Sequence, residues 1–284
     1  MDTIALVDKY PSEDERVIAH QISRGGGGPA AVAAVALARL GISTAIVGTI
    51  GKDSDALEIL NIFQREGVNT SGIAIADGPT AGSVIVASRE RSSRAINTLQ
   101  PMTQAPLTSS AKSLISNTQW IHCDHVGITR LDEMGVTRGA GPNISFDAGY
   151  GVEEFDSSLV DLFVPTDRMI ALRHPGLSLE TGVTFDAMTA KNICVATLGS
   201  KGSVAYSEAS GFVSSNGFSV DVLSTLGAGD VFHGALLAQI IQERPLKEAI
   251  RRANAAAAMS CQGLDGQSAI PHTDELNSFL EART

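Results

Sequence analysis

Residues 223–236 read LSTLGAGDVFHGAL, with Gly-Ala-Gly-Asp at 227–230. A strand-like segment precedes this stretch and an apolar helix starts inside it. Small residues at such a junction let the backbone approach a ligand closely. Amides at a helix start point outward, and the helix dipole favours an anion there. Gly227, Ala228 and Gly229 can therefore form an anion hole for a phosphoryl group in transfer, with the Asp230 carboxylate beside it. A carboxylate that accepts a hydroxyl proton is the usual base for phosphoryl transfer to an alcohol. The plainer reading of the four letters is a tight turn with Asp230 as N-cap.

Working outward, RGGGGPAAVAAVALARLG (24–41) reads as an alanine-rich helix with Pro29 in its first turn and Gly41 as its stop. Arg16–Ile22 is a weak strand and Thr44–Val47 a buried one. An amphipathic helix follows at 55–66, ended by Gly67. From Lys112 on, WIHCDHV (120–126), NISFDAG (143–149), MIAL (169–172) and NICVATLG (192–199) alternate as strands with helical segments. SVAYSE and GFVSSNGFSVDV read as an antiparallel pair, and a last core helix covers 246–261. This rhythm predicts an α/β fold, a doubly wound, mostly parallel sheet with helices on both faces. SVIVAS (83–88) and RAINTL (94–99) flank the polar turn RERSS, a β-hairpin pattern. The expected division is an α/β domain over 1–72 and 100–284 and a small β lid over 73–99.

Composition narrows the function. The 284 residues suit one large α/β domain or two small ones, and 31 acidic against 21 basic residues leave a net charge of −10. That argues against nucleic acid as main partner, because phosphate backbones need a positive face. A small anion held by backbone amides is still compatible. The early apolar run 29–40 is too short to span a bilayer and too far inside to be a signal peptide. Three cysteines, Cys123, Cys194 and Cys261, predict a reduced, cytoplasmic setting.

Both glycine-rich stretches, in this order and separation, resemble the two signatures of the ribokinase-like (PfkB-type) carbohydrate kinases. VGTIGKDSDA, REGVNTSGI, ATLGSKGS and ANAAAAMSCQGLDGQSAIP resemble the family's intermediate pieces, so the likeness covers nearly the whole chain. Within the family, LVDKYPSEDE and WIH resemble ketohexokinase. GGGPAA and GAGDVFHGAL resemble the 6-deoxy-6-sulfofructose kinases, so the likeness is to the ketohexokinase, fructokinase and sulfofructose kinase branches. The resemblance implies ATP-dependent phosphorylation of a primary sugar hydroxyl, a fructose-like or sulfofructose-like ketose at C1, with other sugars or nucleosides as the alternative within the family. It implies Asp230 as general base and Gly227, Ala228 and Gly229 as anion hole. It implies Asp2, Gly27 and Gly28 on the sugar side, and Thr197, Gly199, Gly202, Asn254 and Cys261 on the ATP side. Mg²⁺ would arrive on the ATP phosphates, with no metal ligands from the protein. The lid would make a homodimer contact, and its Arg94 and Asn97 would touch the distal end of the sugar.

The pattern departs from the family in five places. Ala56 replaces a glycine. Pro29 follows Gly27-Gly28 where the family commonly has a sugar-binding asparagine, which puts neutral-sugar contacts in that corner in doubt. Ser224-Thr225 replaces an Asp-Thr pair that serves a monovalent-cation site. The Mg²⁺-organising NxxE motif is absent, with Arg173, His174, Pro175 and Gly176 in its place. A strand of about 5–6 residues is expected ahead of Asp2.

His122-Cys123-Asp124-His125 invites a metal reading, but neighbours on a strand point to opposite faces. One of Asp124 or His125 facing the sugar pocket is the better expectation, and His233 is expected to pack rather than react. Gly25-x-Gly27-x-x-Ala30 fits a dinucleotide fingerprint loosely, which would make the chain an NAD(P)-dependent oxidoreductase. A catalytically weak sugar- or nucleotide-binding regulator is the third reading.

Overall fold

A computed structural model describes residues 1–91, 93–99, 104–149 and 153–283. In chain order the elements are β1 (Asp2–Val7), β2 (Gln21–Gly25), α1 (Pro29–Arg39), β3 (Ala45–Ile50), α2 (Ser54–Arg65), β4 (Asn69–Ile75), β5 (Gly82–Ser88) and β6 (Ser93–Leu99). Then come α3 (Ser109–Ser116), β7 (Trp120–Cys123), α4 (Leu131–Met134), β8 (Asn143–Ala148), β9 (Leu162–Pro165), α5 (Asp167–Arg173), α6 (Leu179–Ala190) and β10 (Ile193–Thr197). β11 (Gly202–Ser207), β12 (Gly211–Asn216), α7 (Ala228–Ile241), α8 (Leu246–Ser260) and α9 (Thr273–Glu281) complete the chain.

The main sheet runs β12-β11-β10-β9-β8-β7. β7 to β10 are parallel, and β11 and β12 add an antiparallel ribbon. Successive residues alternate between two cores. Leu162, Val164 and Val195 join buried residues of α1, α7 and α8, whereas Phe163, Cys194 and Ala196 join Ile170, Val183 and Ala187 of α5 and α6. Helices therefore cover both faces, as the continuous apolar strands require. α1 and α7 approach closely because Gly234 lacks a Cβ, which would stand 2.9 Å from Ala33 Cα.

Local chemistry sets the element ends. Pro29 opens α1, and Gly41 follows it with φ 85°. Asp53 caps α2 through the Ala56 amide (2.9 Å) and also accepts from the Thr80 amide and hydroxyl (2.7 and 2.6 Å). The VGTIGKDSDA stretch is thus a clasp between a turn and the base of the lid. MIAL is not a strand. Thr166 caps α5 by accepting from the Met169 amide (3.2 Å), and the adjacent buried strand is LFVP. A four-residue apolar run has no period of its own, so the cap decides it.

The lid is larger than a hairpin. Its sheet runs β2-β1-β5-β6, with β1 antiparallel to β2 and parallel to β5. It therefore takes in the chain start as well as 82–99, while 73–75 belong to β4. Asp2 does not end a strand; it begins β1, with Gly25 and Ser83 as its ladder partners.

β3 and β4 form a separate parallel pair. Among the described residues β3 pairs only with β4, and β7 only with β8. All six residues of β3 and all four of β7 line one cavity of about 1280 Å³, with Met1 at its wall. Leu37, Leu114, Ile115 and Leu237 also line it.

Candidate active site

The site forms around the N-terminus of α7. Gly227 caps the helix at φ 74°, a conformation that favours glycine, and a Cβ there would meet Gly266 Cα at 2.8 Å. The Ala228 amide makes a long bond to the Thr225 carbonyl (3.4 Å); amides at a helix N-terminus otherwise lack a carbonyl one turn back and face outward. Ser224 Oγ accepts from the Leu226 amide (3.1 Å). The Cys261 carbonyl accepts from the amides of Leu223 (2.8 Å) and Ser224 (3.1 Å). The loop ahead of the helix is thereby tied to the end of α8, so its donors are fixed before a ligand arrives, which is the condition for stabilising developing charge.

Asp230 sits in the first turn of α7. Burial foremost, and then the Asp147 carboxylate, push its pKa up to about 8; Arg94 pulls down, and Asp124 and Asp2 push further up. Asp147 and Asp124 lie at the carboxyl ends of the parallel strands β8 and β7, where open α/β sheets bind ligands. Asp124 accepts from the amides of Val126 (3.0 Å) and Gly127 (2.8 Å), a turn that ends β7.

His233 points inward one turn after Asp230, 5% exposed. Its Nε2 lies 3.5 Å from Asp147 Oδ1, and its ring is 5.9 Å from that of His122. His122 Nδ1 is 3.0 Å from Ser145 Oγ. Burial, and then the neighbouring ring, hold His122 down at about 4, and burial lowers His233. Both are neutral packing groups at pH 7. Cys123, on the opposite face of β7, is pushed up to about 12 by burial. Among the described residues no group of three or more His, Cys, Asp or Glu side chains is placed to hold a metal.

On the lid side, Asp2 meets the start of α1. A Cβ on Gly27 would overlap the Asp2 carboxylate, so the two form one surface only because residue 27 is glycine. Burial raises the Asp2 pKa, and Asp265 contributes in the same direction. Asp265 Oδ1 accepts from the amides of Gln267 (2.9 Å) and Ser268 (2.6 Å), and the Gln267 amide group packs at the Gly26 Cα. Gly27→Ala is expected to turn Asp2 aside; if Asp2 holds sugar as the resemblance implies, the sugar KM rises at least about tenfold, the size of one lost charged hydrogen bond, and an unchanged KM in steady-state kinetics would remove that implied role.

Arg94 and Asn97 do not act together. They are three residues apart on β6, so they face opposite ways. Arg94 opposes Ala87, which is buried, and its Nη1 donates to Thr225 Oγ1 at 2.9 Å. Asn97 opposes Val84, which is 59% exposed, on the outer face of the lid and away from the cleft.

The residues expected on the nucleotide side lie at the far end of the same strand edge. Thr197 ends β10, bridged to Thr166. Gly199 (φ 59°) and Gly202 (φ 105°) shape the turn into β11, and a Cβ on Gly202 would overlap the Ser215 carbonyl. Asn254 Nδ2 donates to the Ser215 carbonyl (3.1 Å), tying α8 to β12. Cys261 caps α8 and holds loop 223–224 as described. Where the Mg²⁺ motif is replaced, Arg173 is bound to Asp186 (3.1 and 2.9 Å) and to the carbonyls of Glu153 and Phe155, while His174 Nε2 lies 3.0 Å from the same Asp186. That corner is an internal ion cluster and does not fit a hydrated cation. The amide cradle of α7 fits a phosphate.

The dinucleotide fingerprint fails on topology. Its glycines follow β2, an antiparallel lid strand, whereas that motif needs the parallel βαβ unit. Sequence reading missed Asp147, Asp265 and Gln267. Asp147 was open to discovery as the polar residue at the end of NISFDA; the other two depend on a loop returning to the lid.

A family model described as "pfkB family carbohydrate kinase" matches residues 1–136 and 171–273. The chain is 26% identical over 302 residues to an ATP-dependent ribose-1-phosphate kinase of Halopiger xanaduensis, covering 99% of this chain and 95% of that one. It is 28% identical over 287 residues to a probable fructokinase-4 of Arabidopsis thaliana, covering 90% and 87%. The crystal structure of a putative ribokinase from Agrobacterium tumefaciens has the same fold, with a TM-score of 0.85 at 21% identity over 99% of this chain and 94% of that one.

Proposed function

The chain belongs to the pfkB family of carbohydrate kinases and is an ATP-dependent phosphotransferase; on that premise we propose that it phosphorylates a ketose at its C1 hydroxyl. The observation that carries the chemistry is Asp230 in the first turn of α7, beside the Gly227-Ala228-Gly229 amides and across from Asp2 and Gly27 of the sugar side. Asp230 takes the proton of the primary hydroxyl. The oxygen attacks the γ-phosphorus in line, the bond to the β-phosphate oxygen breaks, and ADP leaves with that electron pair. The first-turn amides stabilise the charge on the transferring group. Mg²⁺ bound to the ATP phosphates would supply charge neutralisation there, and among the described residues no cluster of His, Cys, Asp or Glu is placed to hold it. The carboxyl groups of Asp2, Asp124 and Asp147, which act on Asp230 with like charge, favour a neutral ketose over one carrying a distal anion.

An ADP-release screen over ketoses, aldoses, sugar phosphates, sulfosugars and nucleosides tests this. A neutral ketose is expected to give the highest kcat/KM. A nucleoside or sugar phosphate in that place overturns the ketose, and sugar binding without ADP release supports the regulator reading instead.

The outer lid face carries Ile22 (68% exposed), Val84 and Leu99 (58%), an apolar surface that supports a homodimer through the lid. Light scattering on the full chain is expected to give twice 29.6 kDa, and Val84→Glu to give the monomer. A wild-type monomer overturns the dimer.

A further inference from the structure

His233 follows Asp230 by one turn of α7, so the two side chains share a face of the helix. Asp147, at the end of β8, stands before both. His233 Nε2 lies 3.5 Å from Asp147 Oδ1, and Asp147 is the neighbouring charge that acts most strongly on Asp230. The Gly149 amide donates to the same Oδ1 at 3.0 Å. His233 Nδ1 is buried and has no hydrogen-bond partner among the described residues. The ring proton therefore belongs on Nε2, the nitrogen with an acceptor in reach. A separation of 3.5 Å is long for a hydrogen bond, and contacts around a reacting group commonly tighten once substrate is seated.

The absence of charge on this donor decides what it can do. A protonated imidazole or a lysine against Asp147 would cancel the carboxylate, whereas a neutral N–H fixes it and leaves its charge intact. Burial keeps His233 neutral. His122, whose ring is 5.9 Å away, is buried and neutral as well. The other charged groups acting on Asp230 are Asp124 on β7, Asp2 on β1 and Arg94 on β6, and Arg94 is bonded to the Thr225 hydroxyl. Two carboxylates this close share a proton, and the one with the better donor stays ionised. With Asp147 held in that form, Asp230 binds the sugar's proton more firmly and is the stronger base, and base strength enters the rate.

We propose that His233 is a positioning residue for phosphoryl transfer: its neutral Nε2–H holds the Asp147 carboxylate, unprotonated, against Asp230 and so sets the strength of the base. This rests on the kinase reading with Asp230 as base. It makes the turn 230–233 a single device, in which one side chain reacts and the next fixes the charge it reacts against.

The test measures kcat and sugar KM against pH, with ATP and the best sugar from the screen, in His233→Gln, His233→Asn, His233→Leu and Asp147→Asn. Glutamine places a donor near the position of Nε2, asparagine near that of Nδ1, and leucine none. His233→Leu and His233→Asn are expected to reach their rate plateau at least about one pH unit below wild type. Their plateau kcat is expected to fall about tenfold, with the sugar KM within about threefold. His233→Gln is expected to restore both limb and plateau, which a space-filling role would not permit. In an Asp147→Asn background leucine at 233 is expected to change neither further, because the pair acts as a unit. A wild-type profile in His233→Leu or His233→Asn overturns the proposal. So does a glutamine variant no better than asparagine, or a full loss from leucine in the Asp147→Asn background. If the leucine variant does not melt cooperatively, the glutamine and asparagine profiles decide alone. Full activity of Asp230→Asn overturns the underlying kinase mechanism instead, whatever His233 does.

Discussion

Asparagine in place of Asp230 is expected to cut ATP-dependent sugar phosphorylation by about 10³-fold while leaving the protein folded, because a positioned general base contributes roughly 10²–10⁴-fold. The same substitution is expected to raise thermal stability, with a definite dependence on pH. The Asp230 carboxyl ionises at about 8 in the fold and near 3.8 as an unperturbed side chain. Between those values the folded protein holds a proton that the unfolded chain has released, so wild-type stability declines as pH rises from about 4 to about 8 and then levels. An asparagine at this position carries no such proton. The variant's advantage should therefore be absent near pH 4, grow through neutrality and become constant above about 8, as thermal melts across that range would show. Catalysis runs the opposite way: the active form is the carboxylate, so wild-type kcat/KM should climb with pH and flatten above about 8. Asp147→Asn removes the neighbouring charge that raises Asp230 most, and its profile should flatten at lower pH. Equal melts for wild type and Asp230→Asn at every pH, or a rate independent of pH between 6 and 8, would contradict this assignment.

The largest stability gain is expected from filling the slot between β3 and β7. Among the described residues each strand has an unpaired edge and lines the same cavity, so one extended segment can pair with both, and it needs no more than the 5–6 residues of an ordinary strand. A Val- and Ile-rich strand with a glycine turn, fused ahead of Met1, is expected to bury about three apolar side chains at roughly 1.5–3 kcal/mol each. At roughly 2–4 °C per kcal/mol for a chain of this size, that raises Tm by about 10 °C or more. The control carries serine and asparagine at the same positions and should gain far less, because the slot is walled by residues such as Leu37, Leu237 and Ile115. An unchanged Tm with the apolar strand would mean that the two edges cannot be bridged.

The parts of the fold legible from sequence are those in which a local signal coincides with a long-range one. α1 and α7 announced themselves by glycine, proline and apolar runs, and both lie where those signals put them. MIAL misled because four apolar residues carry no period, and only the Thr166 cap distinguishes helix from strand there. The lid was half legible. Its hairpin is contiguous, but β1 joins it by pairing with β5, a partner some eighty residues away, and β2 joins through β1, and no local pattern encodes that. Among the candidate site residues, Asp230 and the amides of 227–229 are placed together by the sequence alone because they share one turn. Asp147 could not be tied to them, since its effect on Asp230 depends on how β8 and α7 pack. Asn97 failed for a simple reason: its spacing from Arg94 is odd, and a strand sends odd spacings to opposite sides.

The β1–β5 ladder runs Asp2 to Ser83 through Val7 to Ser88 without a break. Any attempt to transplant sugar preference from a homologue must therefore exchange two cassettes at once, 2–25 and 82–99. A graft of the hairpin alone keeps the recipient's Asp2 on a donor seam whose side chains were shaped for another strand. Chimeras cut at both cassettes should inherit the donor's specificity as a block, whereas single-cassette hybrids should lose turnover for both parents' substrates.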